Sequence, residues 1–129
     1  MAAALIVGAG DATGGAIAKA FAREGYTACV NRRARNADEL DALVKSIHAE
    51  GYAARAYPAD ARIEEEVVAM VDAIERDVGP IEVAVFNIGA NVNFSILDMT
   101  SQVYRKVWEM AAFAGFLMGR EAARRMVER

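Results

Sequence analysis

Apolar residues fall along the chain in two alternating rhythms, short continuous runs and longer stretches at helical spacing. Residues 3–8 form a β-rich run, and 14–24 read as a helix with Ile17, Ala18 and Phe21 on one face. Gly25 stands where a helix C-cap glycine would, followed by a second strand over 26–31. Asn36 or Asp38 suits the cap of a helix over 38–50, in which Leu40, Leu43, Val44 and Ile47 recur. Gly51 ends it, and 53–58 read as a third strand. A helix over 62–78 follows through Val67, Val68, Val71 and Ile74 and stops at Gly79-Pro80. Residues 81–86 are almost continuously apolar, which predicts a fourth strand covered on both faces. A loop from 87 to about 99 leads into a long helix, about 100–128, with Thr100 as its N-cap.

Strands that alternate with helices predict a parallel sheet with helices on both faces and right-handed crossovers. No linker, repeat or low-complexity stretch interrupts the pattern, so residues 1–129 read as one α/β domain. The chain is 55% hydrophobic and 26% charged, a balance that excludes a disordered tail and fits a packed core. A net charge of −3 gives no reason to expect nucleic acid. Cys29 is the only cysteine, so no disulfide can form within the chain, and its place in a predicted strand points to packing. The apolar start, Met1-Ala2-Ala3-Ala4-Leu5-Ile6-Val7, lacks a positive flank and stops at glycine, so it reads as a strand and not a signal peptide. With no run of membrane-spanning length, a cytoplasmic location without membrane contact is the expectation.

The chemistry concentrates in Leu5-Ile6-Val7-Gly8-Ala9-Gly10-Asp11-Ala12-Thr13-Gly14-Gly15. Gly8 lets the chain turn sharply off the strand. Gly10 and Gly14 remove side chains where backbone must approach backbone or a diphosphate. The N–H groups opening the following helix then face the ligand, with the positive end of the helix dipole behind them. Such a turn at the first strand of an alternating α/β chain suits a dinucleotide.

These residues resemble the N-terminal half of a short-chain dehydrogenase/reductase, a family of nicotinamide-dependent oxidoreductases with a Rossmann fold. The family's Thr-Gly-x-x-x-Gly-x-Gly turn stands here as Val7-Gly8-x-x-x-Ala12-x-Gly14, alanine replacing the middle glycine. Asp60, in Pro58-Ala59-Asp60-Ala61, matches the aspartate that follows the third strand. Asn87 and Gly89, in Phe86-Asn87-Ile88-Gly89, match two positions of the family's Asn-Asn-Ala-Gly. The resemblance covers the whole chain. It implies a three-layer α/β/α fold with strands in the order 3-2-1-4, cut before the family's later strands. It also implies that Asp60 bonds an adenine amino group, that Ala61 packs near the ring, and that Thr13, Asn87 and Ile88 lie in the cofactor site.

After the second strand an NAD site places an acid on the ribose hydroxyls; this chain has Asn31-Arg32-Arg33. A guanidinium fork suits a 2′-phosphate, which favours NADP(H) over NAD(H). Asp11 pulls the other way, because related proteins can carry a basic residue there that assists the same phosphate. The family's chemistry uses Ser, Tyr-x-x-x-Lys and a long-helix Asn. Tyr26, Tyr52, Tyr57 and Tyr104 are followed four positions later by Val30, Ala56, Ala61 and Trp108, and Ala111 takes the Asn position. No catalytic residue and no metal site is therefore assigned. The chain reads either as a fragment of a longer oxidoreductase or as a shortened nucleotide-binding or sensing module.

Without the later strands, the fourth strand becomes an open apolar edge. The long helix carries two apolar stripes, Val103, Val107, Met110, Ala114 and Leu117, then Trp108, Ala112 and Phe116 with Phe113 nearby. A helix apolar nearly all round is buried or lies between subunits, so a homo-oligomer through 100–128 is expected. Two other readings are weaker. A methyltransferase-type site would want an acid where Arg32 stands, and a purely structural subunit would leave the glycine turn holding nothing.

Overall fold

The computed structural model describes residues 1–10, 12–89 and 92–129. Strands β1 (Ala3–Val7), β2 (Thr27–Asn31), β3 (Ala54–Ala56) and β4 (Ile81–Phe86) form one parallel sheet in the order β3-β2-β1-β4. Helices α1 (Thr13–Arg23), α2 (Ala37–Ala49), α3 (Glu64–Asp77), α4 (Ser101–Trp108) and α5 (Ala114–Val127) flank it. The architecture is the Rossmann-like α/β fold that the alternation of elements predicts.

The pleat of β1 divides the core. Ala3, Leu5 and Val7 join Val67, Val71 and Ile74 of α3 and Ala114 and Leu117 of α5 on one face. Ala4 and Ile6 join Ala18 and Ala22 of α1 and Leu40 and Ile47 of α2 on the other. A central strand with both faces covered must be apolar at every position, and all five residues of β1 are fully buried. Cys29 lies in the same interior, where burial pushes its thiol up to about 12, a packing residue and not a reactive one.

Several boundaries differ from the sequence reading. The third strand shrinks from 53–58 to three residues because it pairs only with β2 at the sheet's edge. Asn36 occupies the N-cap position of α2, but its side chain makes no capping bond; a 3₁₀ turn, Ala34–Asn36, leads into the helix instead. The expectation that 81–86 is covered on both faces is overturned. Only Ile81 is buried, Glu82 is exposed, and Val83 through Phe86 are half-buried. The sheet ends at β4, and helix cover thins there.

The stretch 100–128 is one rod with an irregular middle. Thr100 caps it as expected, its Oγ1 accepting the Val103 N–H at 3.2 Å. A π turn at Glu109–Phe113 interrupts the α geometry, and Trp108 and Phe113, five residues apart, stack with ring centroids 5.7 Å apart. Of the two apolar stripes, only the C-terminal part of the first, Ala114 and Leu117, is buried. Trp108 and Phe116 of the second remain 50% and 54% exposed. The rod is fastened to α3 by ion pairs from Arg125 to Asp72, Arg120 to Glu64 and Arg129 to Glu75. Beneath them sits the buried carboxylate of Glu121. Burial works against its charge, but hydrogen bonds from Arg125 and Arg120 outweigh this and hold its pKa below the usual range.

Candidate functional site

The carboxyl ends of β1, β2 and β4 and the turn after β3 converge on a cavity of about 450 Å³. Such a crevice is where open parallel sheets bind ligands. Its walls include Gly8, Gly10, Ala12, Thr13 and Gly14 from the first turn, Asn31, Arg32 and Arg33 from the second, Asp60 and Ala61 after β3, and Asn87, Ile88 and Gly89 after β4. Every candidate residue expected in the cofactor site lies in this one cavity except Asp11, which falls outside the described residues.

Two glycines shape the floor by removing atoms. Gly8 turns at φ +88°, a conformation side chains resist, and a Cβ there would lie 2.8 Å from the Asn87 carbonyl carbon. A Cβ on Gly14 would come within 2.3 Å of the Gly8 oxygen, so α1 reaches the turn only because that position is bare. Gly10 differs. A Cβ there meets no atom of the described residues within 4 Å, so backbone packing does not require its bareness as it does at Gly8 and Gly14.

Asn87 locks the turn from the far side. Its N–H donates to the Val7 carbonyl at 2.8 Å, and its Nδ2 donates to the Gly8 carbonyl at 3.2 Å. Asn31 does the same from β2. Its carbonyl accepts the N–H groups of Gly8 and Ala9, while its buried Nδ2 donates to the carbonyls of Tyr57 and Ala59. Both asparagines thus hold the walls in place. Ala12 stands at the N-cap of α1, its carbonyl accepting the Ala16 N–H at 3.0 Å, and an alanine has no side-chain oxygen to offer the N–H groups before it.

The rim is electrostatic. Arg32 is paired with Glu39 at 3.2 Å, whereas Arg33 and Arg35 have no ion-pair partner among the described residues. Across the opening, Arg62 grips Asp60 with its fork, Nε to Oδ1 at 3.0 Å and Nη2 to Oδ2 at 2.8 Å, and the Arg62 N–H adds a bond to Oδ1 at 3.0 Å. These hydrogen bonds hold the Asp60 carboxyl below its ordinary pKa. The Asp60 N–H is taken by Glu66.

The structure adds five lining residues that the sequence reading omits, Arg35, Asn36, Ala59, Arg62 and Met110. Arg35 was within reach, as the basic run Arg32-Arg33-Ala34-Arg35 continues past the second arginine. Met110, within the π turn, stands on the first apolar stripe, and its spacing alone does not place it on this wall. Ala111, its neighbour, lies on a second hollow with Val92, Met99, Tyr104, Val107, Trp108 and Ala112. His48, near the end of α2, is exposed with Nε2 3.0 Å from the Ala54 carbonyl, away from the cavity lining. No group of three metal-ligating side chains occurs among the described residues.

Bare turn, asparagine locks and a charged rim gather at the strand ends of a Rossmann-like α/β domain. The chain belongs to the short-chain dehydrogenase family, whose model matches residues 2–129. It is 50% identical to a short-chain dehydrogenase from Rhodopseudomonas palustris, with a TM-score of 0.92 over 98% of this chain and 58% of that one. It is 32% identical to a gluconate 5-dehydrogenase of Gluconobacter oxydans over 98% of this chain and 48% of that protein. An actinorhodin polyketide ketoreductase solved with NADPH matches with a TM-score of 0.92 at 26% identity, over 98% of this chain and 49% of that one. The chain spans about half the length of the curated relatives it matches.

Proposed function

We propose that this chain is the NADP(H)-binding half of an oxidoreductase that moves a hydride between the nicotinamide and a small carbonyl or alcohol. One observation carries the reading: three guanidiniums, Arg32, Arg33 and Arg35, line the cavity just past β2, and no carboxylate lines it there among the described residues. A carboxylate would suit ribose hydroxyls, and guanidiniums suit a phosphate on that ribose. The bare Gly10 and the start of α1, where Ala12 makes no side-chain cap, fit a diphosphate, whose charge the helix dipole and the opening N–H groups favour. Bound there, the cofactor would supply the hydride. This chain's residues hold and orient it: Gly8 and Gly14 set the turn, Thr13 sits at the first helical position, Asp60 and Ala61 take the base, and Asn87, Ile88 and Gly89 wall the strand end.

The proton chemistry belongs elsewhere. No tyrosine of this sequence has a lysine four positions on, and Ala111 stands where the family keeps asparagine. This reading gives these 129 residues the binding role and assigns them no catalytic residue of the family's kind. The exposed Tyr104, Trp108 and Phe116 support self-association through 100–128, which sedimentation as a function of concentration tests. A cytoplasmic setting is part of the same reading, and no described helix is long and apolar enough to cross a membrane.

The test is a fluorescence titration of the chain with NADPH and NADH. Tighter binding of NADPH, with Arg32→Asp or Arg33→Ser weakening NADPH alone, supports the reading. Equal affinities, lost equally in the variants, would remove the preference for the 2′-phosphate. No binding of either would remove the cofactor itself.

A further inference from the structure

The turn after β3 is more elaborate than a binding carboxylate needs. An ionised carboxyl offers about four lone-pair sites. Arg62 occupies three of those on Asp60, two on Oδ1 through its backbone N–H and Nε and one on Oδ2 through Nη2. The backbone around it is fixed as well. The Asp60 N–H is bound by Glu66 Oε1 at 3.0 Å, the Asp60 carbonyl accepts the Ile63 N–H at 3.0 Å, and Ala59 and Ala61 on either side are buried. Asp60 and Arg62 both line the cavity, with side chains 19% and 27% exposed.

We infer that Arg62 is a specificity-determining positioning residue, which clamps Asp60 so that a single acceptor site on Oδ2 faces the base and selects a purine carrying a 6-amino group over one carrying a 6-oxo group. The inference rests on the dinucleotide reading of the cavity. Its physical content is rigidity. An unclamped carboxylate is a tolerant partner, because it accepts from an adenine amino group or swings to accept from the N1–H of hypoxanthine. A carboxylate held by a two-pronged fork and a backbone N–H cannot follow the second donor. It meets the hypoxanthine O6 instead, acceptor against acceptor. The planar fork is what makes the clamp, so lysine, a point charge on a flexible stem, is a poor substitute.

The experiment compares binding of NADPH with that of its hypoxanthine analogue, reduced nicotinamide hypoxanthine dinucleotide phosphate, followed by nicotinamide fluorescence. The unaltered chain is expected to prefer the adenine form by about tenfold or more, the worth of one charge-assisted hydrogen bond. Arg62→Ala is expected to bring the two affinities within about twofold, chiefly by improving the hypoxanthine form, and Arg62→Lys to recover only part of the preference. A variant that merely loosened the fold would weaken both ligands together, so the ratio separates positioning from structure. Should Arg62→Ala fail to fold, the ratio for Arg62→Gln, which keeps the side chain's length without the fork, decides. An unchanged ratio in the folded variants overturns the inference. Equal binding by the unaltered chain overturns it while leaving the cofactor reading intact, and binding of neither ligand overturns both.

Discussion

The floor and the rim of the cavity are built on opposite principles. The floor, set by Gly8 and Gly14, is made of backbone, and its geometry depends on atoms that are missing. The rim, formed by Arg32, Arg33, Arg35, Asp60 and Arg62, is made of side chains, and its character depends on charges that are present. A floor of this kind tolerates almost no change, because an added methyl collides with main chain that cannot move aside. A rim of this kind can be retuned one side chain at a time with the sheet undisturbed.

Gly14→Ala should break the floor outright. Its Cβ would lie 2.3 Å from the Gly8 oxygen and 2.7 Å from the Ala9 Cα. We expect a loss of about 2–3 kcal/mol in denaturant unfolding, the usual cost of overpacking, together with loss of dinucleotide binding. Removing the free rim charges should do the reverse. Arg33→Ser with Arg35→Ser is expected to leave stability within about 0.5 kcal/mol and to weaken NADPH by roughly tenfold to a hundredfold, with NADH changed by less than about twofold. Arg32→Ser alone should have a smaller effect, since Glu39 already engages that guanidinium. A large loss of stability in the double variant would erase the distinction between the two regions.

Gly10→Ala sharpens the same contrast within one motif. Its Cβ meets nothing in the fold, so the melting temperature should stay put while affinity for the cofactor falls several-fold. Binding unaffected by the added methyl would show that Gly10 does not face the ligand. The smallest effect is in the titration of Asp60. Its pKa is depressed in the folded chain, so the pair's contribution is complete above the ordinary value of 3.8 and lost as pH falls through the lower native value. Arg62→Ala should move the titration midpoint of the Asp60 carboxyl back toward 3.8, read from its ¹³C resonance as a function of pH. An unmoved midpoint would show that the fork does not control the charge.

Most of the floor was legible in the residues themselves. Gly8 and Asn87 sit at strand ends and Gly14 at the start of the helix that follows the first, and strand ends are readable from runs such as Leu5-Ile6-Val7 and Val83-Ala84-Val85-Phe86. The strand order was available through the family's topology. What was not legible depends on contacts distant in sequence or on local irregularity. Nothing in Ile81 through Phe86 reveals how far helices extend over the sheet's last strand, so its half-exposed face came as a correction. Helical periodicity assumes a constant turn, and the π turn at Glu109–Phe113 breaks it, so spacing does not tell that Met110 lines the cavity and Ala111 the second hollow. Asp60 was identifiable by position, but the grip of Arg62 depends on a side-chain conformation that spacing alone does not specify. Asn31 was placed among the ligand-facing residues, and its side chain proves to tie β2 to the chain leaving β3.

The lone thiol of Cys29, sealed inside the sheet and kept protonated well beyond neutral pH, has a practical corollary. The native fold offers maleimide reagents no exposed thiol, so a pair of cysteines introduced on the outer surfaces of α2 and α4 would carry dyes or spin labels at those two sites alone. Distances across the crevice could then be followed during a nucleotide titration without first rebuilding the interior.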